Sequence, residues 1–498
     1  MKRSLALLAL LTLGAWVPAC SAIWGFEDGT LGADGVEASD GAPVPDDPDA
    51  ASDPDGGIDL DATSDAAPPD CDTRVADPLG YFVDRGSGRD APGCGEPNAP
   101  CGTVAWVFEH YEARFHPFVH VAVADYTGSL TLPETARRLG LVVEGRWGVR
   151  IQGARRVWQP YCGPVPTRLI GTSSETIRVE SRYSLTVPPP SEPTDAATDA
   201  DGGDADPDAT SDAAVTPTEP YDLVLSSLEI STKAEAGPSE SLYGLFASKS
   251  FVKLVDCSLT AAAGGSGTDG APGVPGAGGA VSCPPDGTRP ERTRGTDGAT
   301  GADAPVVLVA GDFTPQGYRG LDGPSGQPGV RGGNGGPVAT GCLTPPTAGC
   351  GGNAATAGGG GSAGGSSIAA YLWEARVELL RTSTRASGGG AGGNGAPGAG
   401  GGTGGRGTGG LLCGLNLLPQ GSEGGTGGGA GAGAGGAGGG SFCFAVGSPS
   451  RLEGFDPTRC TRSEAPGRGG VGPGPQKAPD GIAAALYTEP DGGTEPSP

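Results

Sequence analysis

The three histidines of the chain, His110, His116 and His120, fall within eleven residues. Imidazoles gathered this closely suit a metal site or an acid–base pair when their ring nitrogens converge. The surrounding pattern puts them on a short helix, the turn after it and the outward side of a strand, so surface or capping roles are expected. No Gly-x-Ser-x-Gly elbow accompanies them, which argues against a serine hydrolase of that kind. Aspartates at 53, 55, 59 and 61 have the composition of a calcium loop, but EF-hand spacing is not met and Pro54 interrupts the run. No cofactor is expected, and calcium is the one candidate ion. The catalytic residues, if any, are unknown from sequence, and no metal ligands are assigned.

Twelve cysteines offer a second chemistry. None has Cys-x-x-Cys spacing, so ligation of zinc is disfavoured and disulfides are expected in an exported chain. Short loops favour Cys94 with Cys101 and Cys342 with Cys350, and Cys413 with Cys443 would clip a glycine-rich loop. Setting Cys20 aside leaves eleven, an odd number.

An exported chain needs an address. Met1-Lys2-Arg3 and the apolar run Leu5 to Val17 read as a signal peptide over residues 1–19, too short to span a bilayer comfortably. The run closes on Val17-Pro18-Ala19-Cys20, which resembles the lipobox of bacterial lipoproteins, apart from Pro18. The resemblance implies cleavage before Cys20 and acylation of its thiol, with membrane lipid as the first partner; ordinary cleavage near Cys20-Ser21-Ala22 is the competing reading. Ser21 resembles the outer-membrane sorting pattern, which implies a periplasmic or surface-exposed lipoprotein.

The net charge of −25 is localised. Glu27 to Asp77 carries sixteen acids against Arg74, and Glu192 to Glu219 carries nine acids and no base. Residues 20–77 and 188–220 are poor in aromatics and rich in Asp, Ala, Pro and Gly, a composition expected to stay disordered. The remainder is nearly neutral and lacks a basic patch, which excludes nucleic acid as a partner.

Between these spacers the chain reads as many short strands with few helices. Tyr81 to Asp90 forms a strand and a turn, and Gly102 to Tyr111 has helical spacing with Thr103 as its candidate cap. Val119, Val121 and Val123 then alternate with His120, Ala122 and Ala124, and further short strands follow at Leu130-Thr131-Leu132, Leu141 to Gly145, Val149 to Ile151, Arg168 to Gly171 and Thr176 to Val179. This order resembles the opening of right-handed parallel β-helix domains of the pectin-lyase-like class. The resemblance covers about 78–180 and, less fully, 221–262; it implies an all-β fold of stacked coils under a short cap helix, over 78–187 and 221–490, with 491–498 a disordered tail.

An internal repeat at an offset of 125 residues supports stacked coils. Val252-Lys253-Leu254-Val255-Asp256 aligns with Val377-Glu378-Leu379-Leu380-Arg381. Val252, Leu254, Val377 and Leu379 are expected to point inward, with Lys253 facing Glu378 and Asp256 facing Arg381 across coils. Val306 to Ala310 and Ile482 to Tyr487 read as weaker third and fourth copies. Between copies lie long glycine-rich stretches, with 29 glycines in residues 388–440. Their triplets are too short and broken for collagen. Flexible surface loops are the first expectation, bundled polyproline-II strands the second. In composition only, these stretches resemble the glycine-rich repeats of the PE-PGRS surface proteins of mycobacteria.

The implied function is structural or adhesive, with a glycan or surface partner and no catalysis. The alternative is a polysaccharide lyase or hydrolase, because many β-helices cleave acidic glycans, and it requires several carboxylates with an Arg or Lys converging on one face. Trp147, Trp158, Tyr161, Tyr318 and Trp373 could stack on sugars but read mostly as core or cap residues.

Overall fold

The computed structural model describes residues 75–489 apart from 113–115, 138–139, 154, 182–220, 339–341, 414–419 and 464. The signal-peptide segment, Cys20, the aspartate run at 53–61, the acidic insertion 188–220 and the tail 491–498 lie outside the described residues.

The fold is nearly all β and is built from three parallel sheets. The first takes Tyr81–Val83, Phe118–Ala122, Leu141–Gln152, Leu223–Ser226, Phe251–Val255, Arg376–Leu380 and Arg451–Glu453. The second takes Asp125–Thr127, Thr167–Ile170, Leu228–Ser231, Ser258–Ala261, Ser383–Ala386 and Cys460–Arg462. Leu130–Thr131, Glu175–Glu180, Leu242–Ser248, Ser367–Trp373, Ser441–Val446 and Ala483–Thr488 make the third. From Phe118 onward the chain visits first, second and third sheet in that order and then repeats, so each round adds one strand to every sheet.

Period-two alternation decides which side chains enter the space between the sheets. Val252, Leu254, Val377 and Leu379 all enter it, as their spacing predicts, and lie in direct register as Val252 with Val377 and Leu254 with Leu379. Val119, Val143, Leu223, Ile177 and Leu245 extend the same core through the earlier rounds. The side chains between them face outward and pair across rounds: Lys253 Nζ lies 2.8 Å from Glu378 and Arg381 Nε 2.6 Å from Asp256. At the first round a helix, Val104–Glu109, covers the core with Val104, Val107 and Phe108; the Thr103 hydroxyl caps it by accepting the Trp106 N–H at 3.1 Å.

Two expectations for strands change. Leu141 to Gln152 is one long strand whose far half pairs antiparallel with Arg155–Pro160. Val306 to Ala310 is no further copy of the repeat: it forms no strand and leaves Leu308 88% exposed. It leads instead into an antiparallel hairpin, Gly311–Thr314 with Gly317–Gly320. The fourth copy, Ala483–Thr488, does join the third sheet beside Ser441–Val446.

The connection from second to third sheet grows from residues 171–174 to 232–241, and then to 262–366, 387–440 and 463–482. These last three hold the glycine-rich sequence, and its described tracts are paired with one another rather than loose. Their backbones hydrogen-bond to one another at every third residue: Gly267, Gly270, Gly273 and Gly276 donate to Ala391, Asn394, Pro397 and Gly400 at 2.7–3.0 Å. A repeat of three is that of polyproline II, which makes no hydrogen bonds within one strand and so directs them to neighbours. Six long tracts, 264–279, 295–304, 321–336, 349–366, 388–405 and 421–440, pair this way in both directions. Glycine at every third position lets the backbones approach to bonding distance. Backbone bonds thus replace the side-chain burial that these tracts lack.

The cysteines follow the lattice rather than loop length. Cys94 bonds to Cys101, as the short loop suggests. Cys350 bonds to Cys283 and not to Cys342, because 349–366 runs back alongside 264–279 and brings the ends of those tracts together. Cys443 bonds to Cys460 and not to Cys413; the two sit on strands of successive rounds, with Cys443 inside the core. Cys342 is disulfide-bonded and stands opposite Cys413 in the antiparallel pair Cys342–Thr344 with Leu411–Cys413. Cys257 is free and buried.

Candidate functional site

A cleft opens where the second-to-third-sheet corner, the hairpin and the glycine lattice meet. Glu175 begins a third-sheet strand, Ser239, Glu240 and Ser241 lead into the next, and Ser362 precedes the one after. The hairpin is fastened over the outer face of that sheet by two phenols: Tyr371 donates to the Thr314 carbonyl at 2.7 Å and Tyr243 to the Tyr318 carbonyl at 3.1 Å. Phe313 of the hairpin stacks on Tyr371, which stacks on Phe246, and Tyr318 packs on Phe442. Pinned there, the hairpin holds Gln316, Arg319 and Asp322 above Glu175 and Glu240, and the space between measures about 430 Å³.

Three carboxylates line this cleft, each held in place. Glu175 takes both oxygens to the Arg178 guanidinium at 2.8 and 2.9 Å. Glu240 accepts from Lys233 at 2.7 Å and from the Gly237 N–H at 2.6 Å. Asp322 accepts the Ala363 N–H at 2.8 Å and lies 3.5 Å from Arg319. Burial raises the Glu240 carboxyl, but Lys233 and the Gly237 N–H outweigh it and hold the group below the ordinary carboxylate range. Glu240 is thus suited to accepting hydrogen bonds and not to giving up a proton. Serine hydroxyls fill the gaps, with Ser239 and Ser362 2.9 Å apart. Fixed acceptors, two-way hydroxyls and one cation are what a polyhydroxylated ligand requires.

The histidines converge more than their pattern suggests. His120 does lie on the outward side of its strand, but Phe82 and Trp147 cover it, and it is 1% exposed. Its Nε2 accepts the Asp77 N–H at 3.0 Å, which leaves Nδ1 to carry the proton toward Glu144 at 3.1 Å. His116 meets the Asp77 carboxylate at 2.7 Å. Asp77 is held below its ordinary value chiefly by the Leu79 N–H, against burial and with help from His116. These contacts fasten the segment entering the first strand. His110 stands apart, stacked on Trp106 at 3.6 Å between ring centroids. Among the described residues no group of three or more His, Cys, Asp or Glu is placed to hold a metal ion.

Four of the five aromatic candidates are committed to packing or a hydrogen bond. Trp147 is fully buried, Trp158 donates to the Pro97 carbonyl at 3.0 Å, Tyr318 packs from the hairpin into the aromatic cluster, and Trp373 packs beside the same cluster. Tyr161 follows the antiparallel strand Arg155–Pro160, its N–H donating to the Arg146 carbonyl at 2.8 Å. Glu175, Glu240 and Asp322 went unmarked in the sequence because they come from different rounds. One trace was available: the 125-residue offset extends to Ser241, whose hydroxyl accepts the Ser366 N–H at 2.9 Å.

The chain matches no family model, no curated protein and no solved structure. Among the described residues no helix is long and apolar enough to cross a membrane.

Proposed function

We propose that the protein is a lipid-anchored envelope lipoprotein of a diderm bacterium, tethered at Cys20, whose right-handed parallel β-helix presents a glycan-binding cleft. The cyclic order of the three parallel sheets supports the coil, since parallel crossovers are right-handed in nearly all proteins. The composition of residues 1–20 supports the anchor. The role is adhesive or structural, and the observation that carries it is the cleft, where Glu175, Glu240 and Asp322 are each fixed by a cation or an N–H beside serine hydroxyls.

The three carboxylates with Arg319 also favour the second reading, a polysaccharide lyase or hydrolase. One experiment separates the two: the full-length protein and a Glu240→Gln variant are titrated with acidic and neutral polysaccharides, and new sugar ends are measured in the same samples. Binding weakened in the variant, without release of ends, is the expected result. Release that scales with protein would replace adhesion by catalysis, and binding indifferent to Glu240→Gln would remove the cleft. Palmitate labelling lost in Cys20→Ser tests the anchor.

A further inference from the structure

Tract 421–440 is surrounded by the others. It bonds to 349–366, 388–405, 321–336, 295–304 and 467–472, and Gly438 donates to the Pro479 carbonyl. Within this lattice one contact recurs three times. Gly267 donates to the Ala391 carbonyl, and three residues further along Asn394 is clamped on both sides: Asp269 takes its N–H at 2.6 Å and the Gly270 N–H donates to its carbonyl at 2.8 Å. Gly295, Asp297 and Gly298 do the same to Glu423 and Thr426, each bond 2.8 Å. Gly301, Asp303 and Ala304 repeat it on Gly429 and Ala432 at 2.8–2.9 Å. An aspartate and the residue after it therefore satisfy both polar groups of one neighbouring residue.

The series stops after Ala304, because Val306 stands where the next carboxylate would be. The next residue on the same face of the central tract is Gly435. It is buried, and among the described residues neither its N–H nor its C=O has a partner. Buried backbone groups are nearly always paired, so an orphaned pair marks a place where something belongs. Gly435 lies in the floor of a groove of about 800 Å³ between 303–308 and 472–478. The walls are largely apolar, with Val306 and Leu308 on one side and Pro473 and Pro475 on the other, while Asp303, Gln476 and Lys477 add polar groups. Leu308, which lines it, is 88% exposed.

We propose that this groove binds an extended, glycine-rich segment of a partner polypeptide, in which an Asp and the small residue after it clamp Gly435 as Asp303 and Ala304 clamp Ala432. Polypeptide is the occupant that fits, because pairing both groups of Gly435 takes an N–H donor and an acceptor at the spacing the other clamps show. It must be rich in glycine because its backbone has to reach hydrogen-bonding distance, and proline at the donor position would remove the bond. The mode is strand addition, with main-chain bonds supplying affinity, transferred from a β-sheet edge to a polyproline-II lattice.

The probe is a fluorescent peptide with the sequence of residues 295–304, titrated against the intact protein by anisotropy. Saturable binding is expected. Replacing both aspartates of the peptide by alanine should weaken it by about tenfold or more, the loss of charge-assisted hydrogen bonds. Gly474→Trp should abolish it: Gly474 lines the groove, and a Cβ there meets nothing within 4 Å, so the indole can occupy the space. No saturation at millimolar peptide, or equal binding by the alanine peptide, overturns the proposal, and the peptide control holds even if Gly474→Trp folds poorly. Glycan binding measured on Gly474→Trp should persist, which separates this site from the cleft.

Discussion

Two glycines of one tract should respond to the same substitution with opposite signs. In 388–405, a Cβ built on Gly393 would lie 2.0 Å from the Thr268 carbonyl oxygen and 2.4 Å from its carbon, whereas a Cβ on Gly400 meets nothing within 4 Å. Ordinary contact begins near 3.4 Å, so Gly393→Ala must push tract 264–279 away by more than an ångström. That movement stretches the bonds from Gly267 to Ala391 and from Gly270 to Asn394, now 2.7 and 2.8 Å. Each is worth about 1 kcal/mol, and overpacking adds about 1–3 kcal/mol, for a cost of about 3–5 kcal/mol. Gly400→Ala only restricts the unfolded chain and should stabilise by about 0.4–1 kcal/mol. Guanidinium unfolding of both variants measures the difference, and hydrogen exchange over 264–279 locates it. Equal effects at the two positions would refute the view that backbone approach, rather than composition, requires glycine here.

Acid should loosen the lattice through its carboxylate clamps. Thr426 holds Asp297 below the ordinary carboxylate value, and Lys477 with the Gly469 N–H does the same to Asp480. A depressed carboxyl stabilises fully above its unfolded value and loses that contribution as pH falls through the folded one, so Tm should drop below about pH 4. Asp297→Asn should flatten that part of the profile, and an unchanged slope would count against the clamp. Burial pushes the Cys257 thiol up to about 12, so iodoacetamide at mildly alkaline pH should leave it unlabelled in the native protein and label it on unfolding; mass spectrometry of its peptide decides. Leu254→Ala, in the core, should cost about 2–5 kcal/mol, whereas Arg381→Ala, at a half-exposed ion pair, should cost less than about 1 kcal/mol. Comparable denaturation midpoints for these two would remove the distinction between inward and outward rows.

What could be read from the sequence depended on how far apart the determining residues lie. Alternation over five residues was enough to turn Val252 and Leu254 inward, and an ungapped repeat was enough to bring Lys253 to Glu378. The cysteines were harder: Cys342 and Cys350 are neighbours in sequence, yet Cys350 opens a tract running antiparallel to the one that ends near Cys283, and only the lattice brings that pair together. The cleft was hidden for the same reason, since Glu175, Glu240 and Asp322 meet only after two rounds have stacked and the hairpin has folded over them.

The glycine tracts fail the usual argument for order because that argument counts buried side chains. Here the chain entropy is offset by backbone bonds, and the sign of this was the spacing Gly267, Gly270, Gly273, Gly276 together with Gly-x-Asp. The strands supply what the tracts cannot choose for themselves, their register. Ser258 pairs with Ser383 and Asp269 takes the N–H of Asn394, both at a separation of 125, so the sheet alignment runs unbroken into the lattice. A slip of one residue in the sheet would turn the core side chains outward. In the lattice it would bring Thr268 or Asp269 to positions where a Cβ collides with a carbonyl. Periods of two and three thus check one another: each excludes alignments that the other would tolerate, and together they leave one.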